Sequence, residues 1–116
     1  MAKATILFGS AALSVASLAP TGLAVAEAAA APRVHTIYID KMRFGPVPQG
    51  IRQGDVILWV NKDLFRHTAT ARDGSFNVDL QPGKSGRTPI RKAGATHFFC
   101  KYHLAMKGVL VVTRNS

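Results

Sequence analysis

Cysteine is almost missing from this chain: Cys100 is the only one in 116 residues. A single cysteine excludes an internal disulfide, so the thiol needs another reason to be present. Acids are scarce too, six Asp and Glu against fifteen Lys and Arg, for a net charge of +9. An excess of bases ordinarily serves solubility, but it also steers association toward an acidic partner or an anionic surface. Nucleic acid is not an expected partner, because no binding motif accompanies the charge. Methionine is rare, three residues including Met1, and no Met-rich or His-rich run occurs. Beyond Pro32 there is little helical periodicity, and no internal repeat, linker or low-complexity segment.

The first third differs in kind from the rest. Residues 1–31 hold one base, Lys3, and one acid, Glu27, in a background of Ala, Leu, Val, Ser and Gly. Lys3 followed by the apolar stretch Ala4 to Leu18, a break at Pro20 and Gly22, and the small residues Ala24-Val25-Ala26 reads as a secretory signal peptide. Cleavage is placed between 26 and 31. A retained membrane anchor is the competing reading, since Ala4 to Ala26 approaches spanning length, but the Pro/Gly break disfavours a permanent span. The expectation is export to the periplasm without stable membrane insertion, leaving residues 32–116 as one domain. That domain has 85 residues, enough for one sandwich-type core.

Short apolar runs separated by Gly and Pro dominate the remainder, the pattern of a β-sandwich. Val34 to Asp40 alternates, with His35, Ile37 and Ile39 on one face. Phe44 to Pro48 is an irregular crossing, and Gly54-Asp55 a turn. Val56 to Asn61 forms an apolar strand around Trp59, expected to pack in the core with Ile57. Thr68 to Ala71 continues as a strand before the turn at Asp73-Gly74. Ser75 to Leu80 is mixed, and Pro82-Gly83 marks another turn. Gly86 to Arg91 is a candidate strand in which Pro89 suggests an edge or an interruption. Thr96 to Cys100 and Val109 to Thr113 complete the series.

The stretch Cys100-Lys101-Tyr102-His103-Leu104-Ala105-Met106 spaces a thiolate, an imidazole and a thioether three residues apart. These soft and borderline donors select copper over magnesium or calcium. A trigonal copper site of two His and one Cys with a weak axial Met needs one more histidine. His67, 33 residues before Cys100, is the best candidate. His35 and His97 are expected at the surface. Taken singly each residue has a plainer explanation: a free cysteine is often a buried apolar thiol, and a methionine is often core. It is the four together that point to a metal.

These residues resemble the cupredoxins, the small blue-copper proteins, and within them the amicyanin- and pseudoazurin-like group. The likeness runs through Phe44-Gly45-Pro46, Gly54-Asp55, Trp59-Val60-Asn61-Lys62-Asp63, His67-Thr68, Phe76, Leu80, Pro82-Gly83 and Ala93-Gly94. It ends with the Cys100, His103, Met106 loop, Gly108 and Val112. The Cys-x2-His-x2-Met spacing is most similar to amicyanin. The resemblance implies an all-β Greek-key sandwich with one type 1 copper, cycling between Cu(I) and Cu(II), at one end. It implies His67, Cys100, His103 and Met106 as ligands and His103 as the solvent-edge ligand that passes electrons. An apolar docking patch of Tyr102, Leu104 and Ala105 would then carry a basic rim of Arg66, Lys101 and Lys107. Three departures stand out: Leu104 where family members often have Pro, Thr68 where many have Asn to brace the cysteine loop, and no aromatic near Ala95 or Thr96. They bear on redox potential and partner identity and remove no ligand.

Electron transfer to an acidic redox partner is therefore the leading expectation, for a protein that acts as a monomer and is not an enzyme. Four protein ligands would leave no open position for substrate. The alternative is a copper-binding carrier or buffer that delivers copper to another exported protein. Zinc is disfavoured by the methionine, and a cysteine hydrolase by the lack of an oriented third residue.

Overall fold

The structure, a computed structural model, describes residues 31–115 and, before them, only positions 3, 4, 9, 12 and 14. The expected export leader thus falls almost wholly outside the described residues. Among those residues, no helix is long and apolar enough to cross a membrane.

Among the described residues nine strands follow one another: β1 Val34–Asp40, β2 Arg43–Phe44, β3 Ile51–Arg52, β4 Val56–Asn61, β5 His67–Ala71, β6 Asn77–Leu80, β7 Ser85–Pro89, β8 Gly94–Phe99 and β9 Lys107–Thr113. They form two sheets, β2-β1-β4-β7 and β3-β9-β8-β5-β6. The expected all-β sandwich is what the chain adopts. Two pairings are parallel, β1 with β4 and β3 with β9, and the other pairings are antiparallel.

Alternation sets the inner faces. On β1, Ile37 and Ile39 are fully buried between exposed Tyr38 and Asp40, as a period of two requires. On β4, Ile57, Trp59 and Asn61 point inward. Trp59 packs edge-on against Phe98, with ring centroids 5.1 Å apart, and its indole N–H donates to Thr88 Oγ1 at 2.9 Å. Phe44 closes the cluster, 4.8 Å from the Phe98 ring. Gly108 is required beneath that ring, because a Cβ there would collide with Phe98. Pro89 lies at the end of β7, an edge strand of its sheet, where its missing N–H costs no ladder bond.

Four details differ from the sequence reading. β2 and β3 are two-residue strands that exist only because β1 and β9 run alongside them. β5 begins at His67 and is buried throughout, although it contains two threonines. Its hydroxyls are satisfied internally, Thr68 Oγ1 with Thr70 Oγ1 at 2.9 Å and Thr70 Oγ1 with Asn77 Oδ1 at 2.8 Å, so burial leaves no polar group unpaired.

His35, expected at the surface, is instead half-buried and pairs through Nε2 with Asp55 Oδ2 at 2.8 Å. Asp55 also accepts the Arg33 and Arg52 backbone N–H groups. Burial pushes the Asp55 carboxyl up, but those two bonds and the one from His35 outweigh it and hold the group below its ordinary value. His97 is exposed, as expected.

Candidate metal centre

One end of the sandwich collects the chemistry-bearing residues. His67 is the first residue of β5, Cys100 follows the last residue of β8, and Met106 immediately precedes β9. The loop from Cys100 to Met106 is closed on itself, Cys100 N–H donating to Met106 C=O at 3.0 Å and Met106 N–H to His103 C=O at 2.8 Å. That tight closure turns a three-residue spacing in sequence into convergence in space.

Cys100 Sγ lies 3.8 Å from His67 Nδ1 and 3.9 Å from His103 Nδ1. The three donor atoms all lie within 4.8 Å of one another. Cys100 and His67 are fully buried, Met106 is 4% exposed, and His103 is half-buried. The structure therefore brings His67, Cys100 and His103 together around one point, with Met106 beside them at the end of the same loop. A thiol and two imidazole nitrogens at mutual distances under 5 Å leave room for one ion at their centre. The donor chemistry fits copper, which favours a His2Cys set with a weak thioether.

Thr68 braces the cysteine loop. Its N–H points at Cys100 Sγ at 3.4 Å, and its Oγ1 accepts the Lys101 N–H at 2.9 Å. The substitution of Thr for Asn at this position thus keeps the bracing bond that the resemblance put in doubt.

The segment from Asn61 to His67 is organised by a buried asparagine. Asn61 Nδ2 reaches Phe65 C=O at 2.7 Å, Leu80 C=O at 3.0 Å and Gln81 C=O at 3.3 Å, while its Oδ1 accepts the Asp63 N–H at 2.9 Å. Asp63 in turn places Oδ2 2.7 Å from His67 Nε2. Because a carboxylate can only accept, Nε2 carries the proton and Nδ1 keeps its lone pair for the site. Burial pushes the Asp63 carboxyl up, yet bonds from Met42 N–H, His67 and Lys41 N–H prevail and hold it below its ordinary value.

Around the site the surface is apolar. Tyr102 is 49% exposed and Leu104 71%, and the adjacent Leu64 and Phe65, just before His67 in the chain, are exposed at 90% and 60%. Sequence reasoning missed this pair, whose only signal was two adjacent large apolar residues in a turn rather than in a strand. Arg66, one of the bases expected at the rim, is exposed and forms a two-pronged pair with Asp79, 2.8 Å on each arm. Hydrogen bonding to Asp79 pushes its pKa up, so its charge is locally compensated. Lys101 and Lys107 are exposed and have no partner among the ion pairs of the described residues.

Comparison with known proteins agrees with the architecture. Residues 6–112 match the family of the cupredoxin-like domain. A substituted amicyanin solved in its Cu(I) state is 19% identical, with a TM-score of 0.63, covering 69% of this chain and 82% of that one. Amicyanin from Paracoccus versutus is 22% identical, with a TM-score of 0.58 over 75% of this chain and 86% of that one. A copper-containing nitrite reductase from Thermus scotoductus SA-01 is 27% identical, with a TM-score of 0.60, over 67% of this chain but only 22% of its own. No curated protein matches the chain significantly.

Proposed function

The chain belongs to the cupredoxin-like domain family, and from that premise we propose that it is an exported one-electron carrier, with His67, Cys100, His103 and Met106 holding a single type 1 copper. The observation that carries this reading is the convergence of two imidazole Nδ1 atoms on one buried thiol, at 3.8 and 3.9 Å. A bound copper ion supplies a Cu(II)/Cu(I) couple at that point. The protein's part is to hold the donors still and keep the site dry.

His67 is fixed by Asp63 from behind, and Cys100 by Thr68 and the closed loop. Rigidly mounted donors change little between oxidation states, which suits rapid electron exchange. The complete burial of Cys100 and His67 favours retention of the ion over its delivery to another protein. Four protein donors leave no vacant position for a substrate, so an electron carrier fits better than an enzyme.

His103, the half-buried ligand, is the exit toward solvent, amid Tyr102, Leu104 and Ala105. Lys101 and Lys107 stand at the rim and, with the net charge of +9, favour an acidic redox partner whose approach slows as salt rises. The leader-like composition of residues 1–31 supports a periplasmic location.

The deciding experiment is the visible spectrum of the protein loaded with Cu(II), beside a Cys100→Ala control. An intense blue band that the control lacks establishes a copper–thiolate bond. A colourless wild type would refute the site.

A further inference from the structure

Two residues of the described chain other than glycine have positive φ, and they are neighbours: Lys41 at 52° and Met42 at 61°, in the turn between β1 and β2. A left-handed conformation is costly for residues with a Cβ and persists only where surrounding groups over-determine it. Two things hold it here: the two-residue β1–β2 hairpin, whose Asp40–Arg43 pairing calls for positive φ at both positions, and a single carboxylate that accepts both turn amides. Lys41 N–H donates to Asp63 Oδ1 at 2.7 Å and Met42 N–H to Asp63 Oδ2 at 3.0 Å. The same Oδ2 accepts the His67 Nε2–H at 2.7 Å. Asp63 is itself anchored by its own N–H on Asn61 Oδ1, and its side chain is only 9% exposed. One anion therefore serves two clients, a strained backbone turn and the imidazole of the metal centre.

We propose that Asp63 is a positioning residue that couples the metal centre to the β1–β2 turn, so that occupancy of His67 is registered at the Lys41 and Met42 amides. This rests on the copper reading above. A carboxylate behind a ligating imidazole raises the basicity of the ligand nitrogen. Conversely, a cation on Nδ1 makes the Nε2 proton more acidic and draws carboxylate charge toward the ring. The two turn amides share that charge, so their bonds weaken as the imidazole bond strengthens. Coupling of this kind is reciprocal: whatever loosens the turn also alters how tightly the site holds its ion. The carboxylate favours the more highly charged Cu(II), and its loss shifts the balance toward Cu(I).

The test uses the wild type, Asp63→Asn, which keeps the shape and loses the charge, and Asp63→Ala. Titration of the metal-free wild type with Cu(I) alone, followed by NMR, is expected to shift the Lys41 and Met42 amide resonances together with those of Cys100 and His103. In Asp63→Ala the two turn amides stop responding, while Cys100 and His103 still shift. In Asp63→Asn the copper–thiolate band remains. Its Cu(II) affinity falls about tenfold, the lower end of the range for outer-shell partners of metal-ligating histidines. With Cu(I) affinity unchanged, that is a potential rise of about 59 mV for one electron.

Silent turn amides in the wild type while Cys100 responds would overturn the coupling and leave the copper site standing. An unchanged potential in Asp63→Asn would do the same. Failure of Cu(I) to move Cys100 or His103 would remove the copper reading and the coupling with it. The wild-type titration needs no variant to fold.

Discussion

Replacing Asn61 tests how the approach to His67 is built. The side chain is 1% exposed; its two N–H groups are shared among the Phe65, Leu80 and Gln81 carbonyls, and its Oδ1 accepts the Asp63 N–H. Asn61→Ala strands these groups. The Leu80 carbonyl belongs to a fully buried residue, Asp63 is half-buried with its carboxylate held by three further bonds, and Phe65 and Gln81 are exposed enough to turn to water. With about 1–3 kcal/mol for each buried group left unpaired, the two enclosed ones give an expected loss of about 3 kcal/mol.

Asn61→Asp separates geometry from polarity, since it keeps the acceptor for Asp63 N–H and turns the donor into a second acceptor facing three carbonyls. That carboxyl is driven above its ordinary pKa, because only its protonated form can donate. A group whose folded pKa is raised contributes stability below its unfolded value and loses it as pH rises through the folded one. The Asp variant is therefore expected to be less stable than the Ala variant at pH 7 and to recover relative to it as pH falls. Urea unfolding of the metal-free proteins at several pH values measures both. An Ala variant within 1 kcal/mol of wild type, or an Asp variant as stable as wild type at pH 7, would refute the account.

Three further outcomes are expected. Asp55 has a lowered folded pKa, so the stability it contributes is present above the unfolded carboxyl value, near 3.9, and disappears as pH falls through the lower folded value. The difference between wild type and Asp55→Asn in urea titrations should shrink across that window, and a constant difference would contradict it. Gly108→Ala puts a methyl into the Phe98 ring, which Phe44 and Trp59 hold from other sides. Overpacking of about 1–3 kcal/mol is expected in thermal or urea unfolding, and a neutral result would mean the ring can move aside. Met106→Ala should keep the copper–thiolate band but shift the potential, because a weak axial donor tunes the couple more than it holds the ion; loss of all copper would contradict a weak axial role.

Much of the fold was readable because it is written in local periodicity. β1 was located from alternation, β4 from a short apolar run after the Gly54-Asp55 turn, and Pro89 pointed to an edge or an interruption of its strand, since none of these inferences needs a distant partner. The spacing of Cys100, His103 and Met106 was equally legible, being confined to seven residues. β2 and β3 were not, because two residues carry no period and become strands only when another strand lies beside them. Nor was the burial of β5, whose Thr70 hydroxyl is satisfied by Thr68 and by Asn77 of the neighbouring strand.

The chain by itself determined which donors exist, how the cysteine loop is spaced, and which residues alternate into a core, because these depend on neighbours within a few bonds. Only the tertiary structure decided that Asp63 stands behind His67 and under the Lys41–Met42 turn, that Thr68 supplies the brace of the cysteine loop, and that Asp79 compensates Arg66. Each joins segments remote in sequence or on different strands. Which acceptor meets which donor is then a matter of strand register and sheet packing, which the residue types alone do not specify.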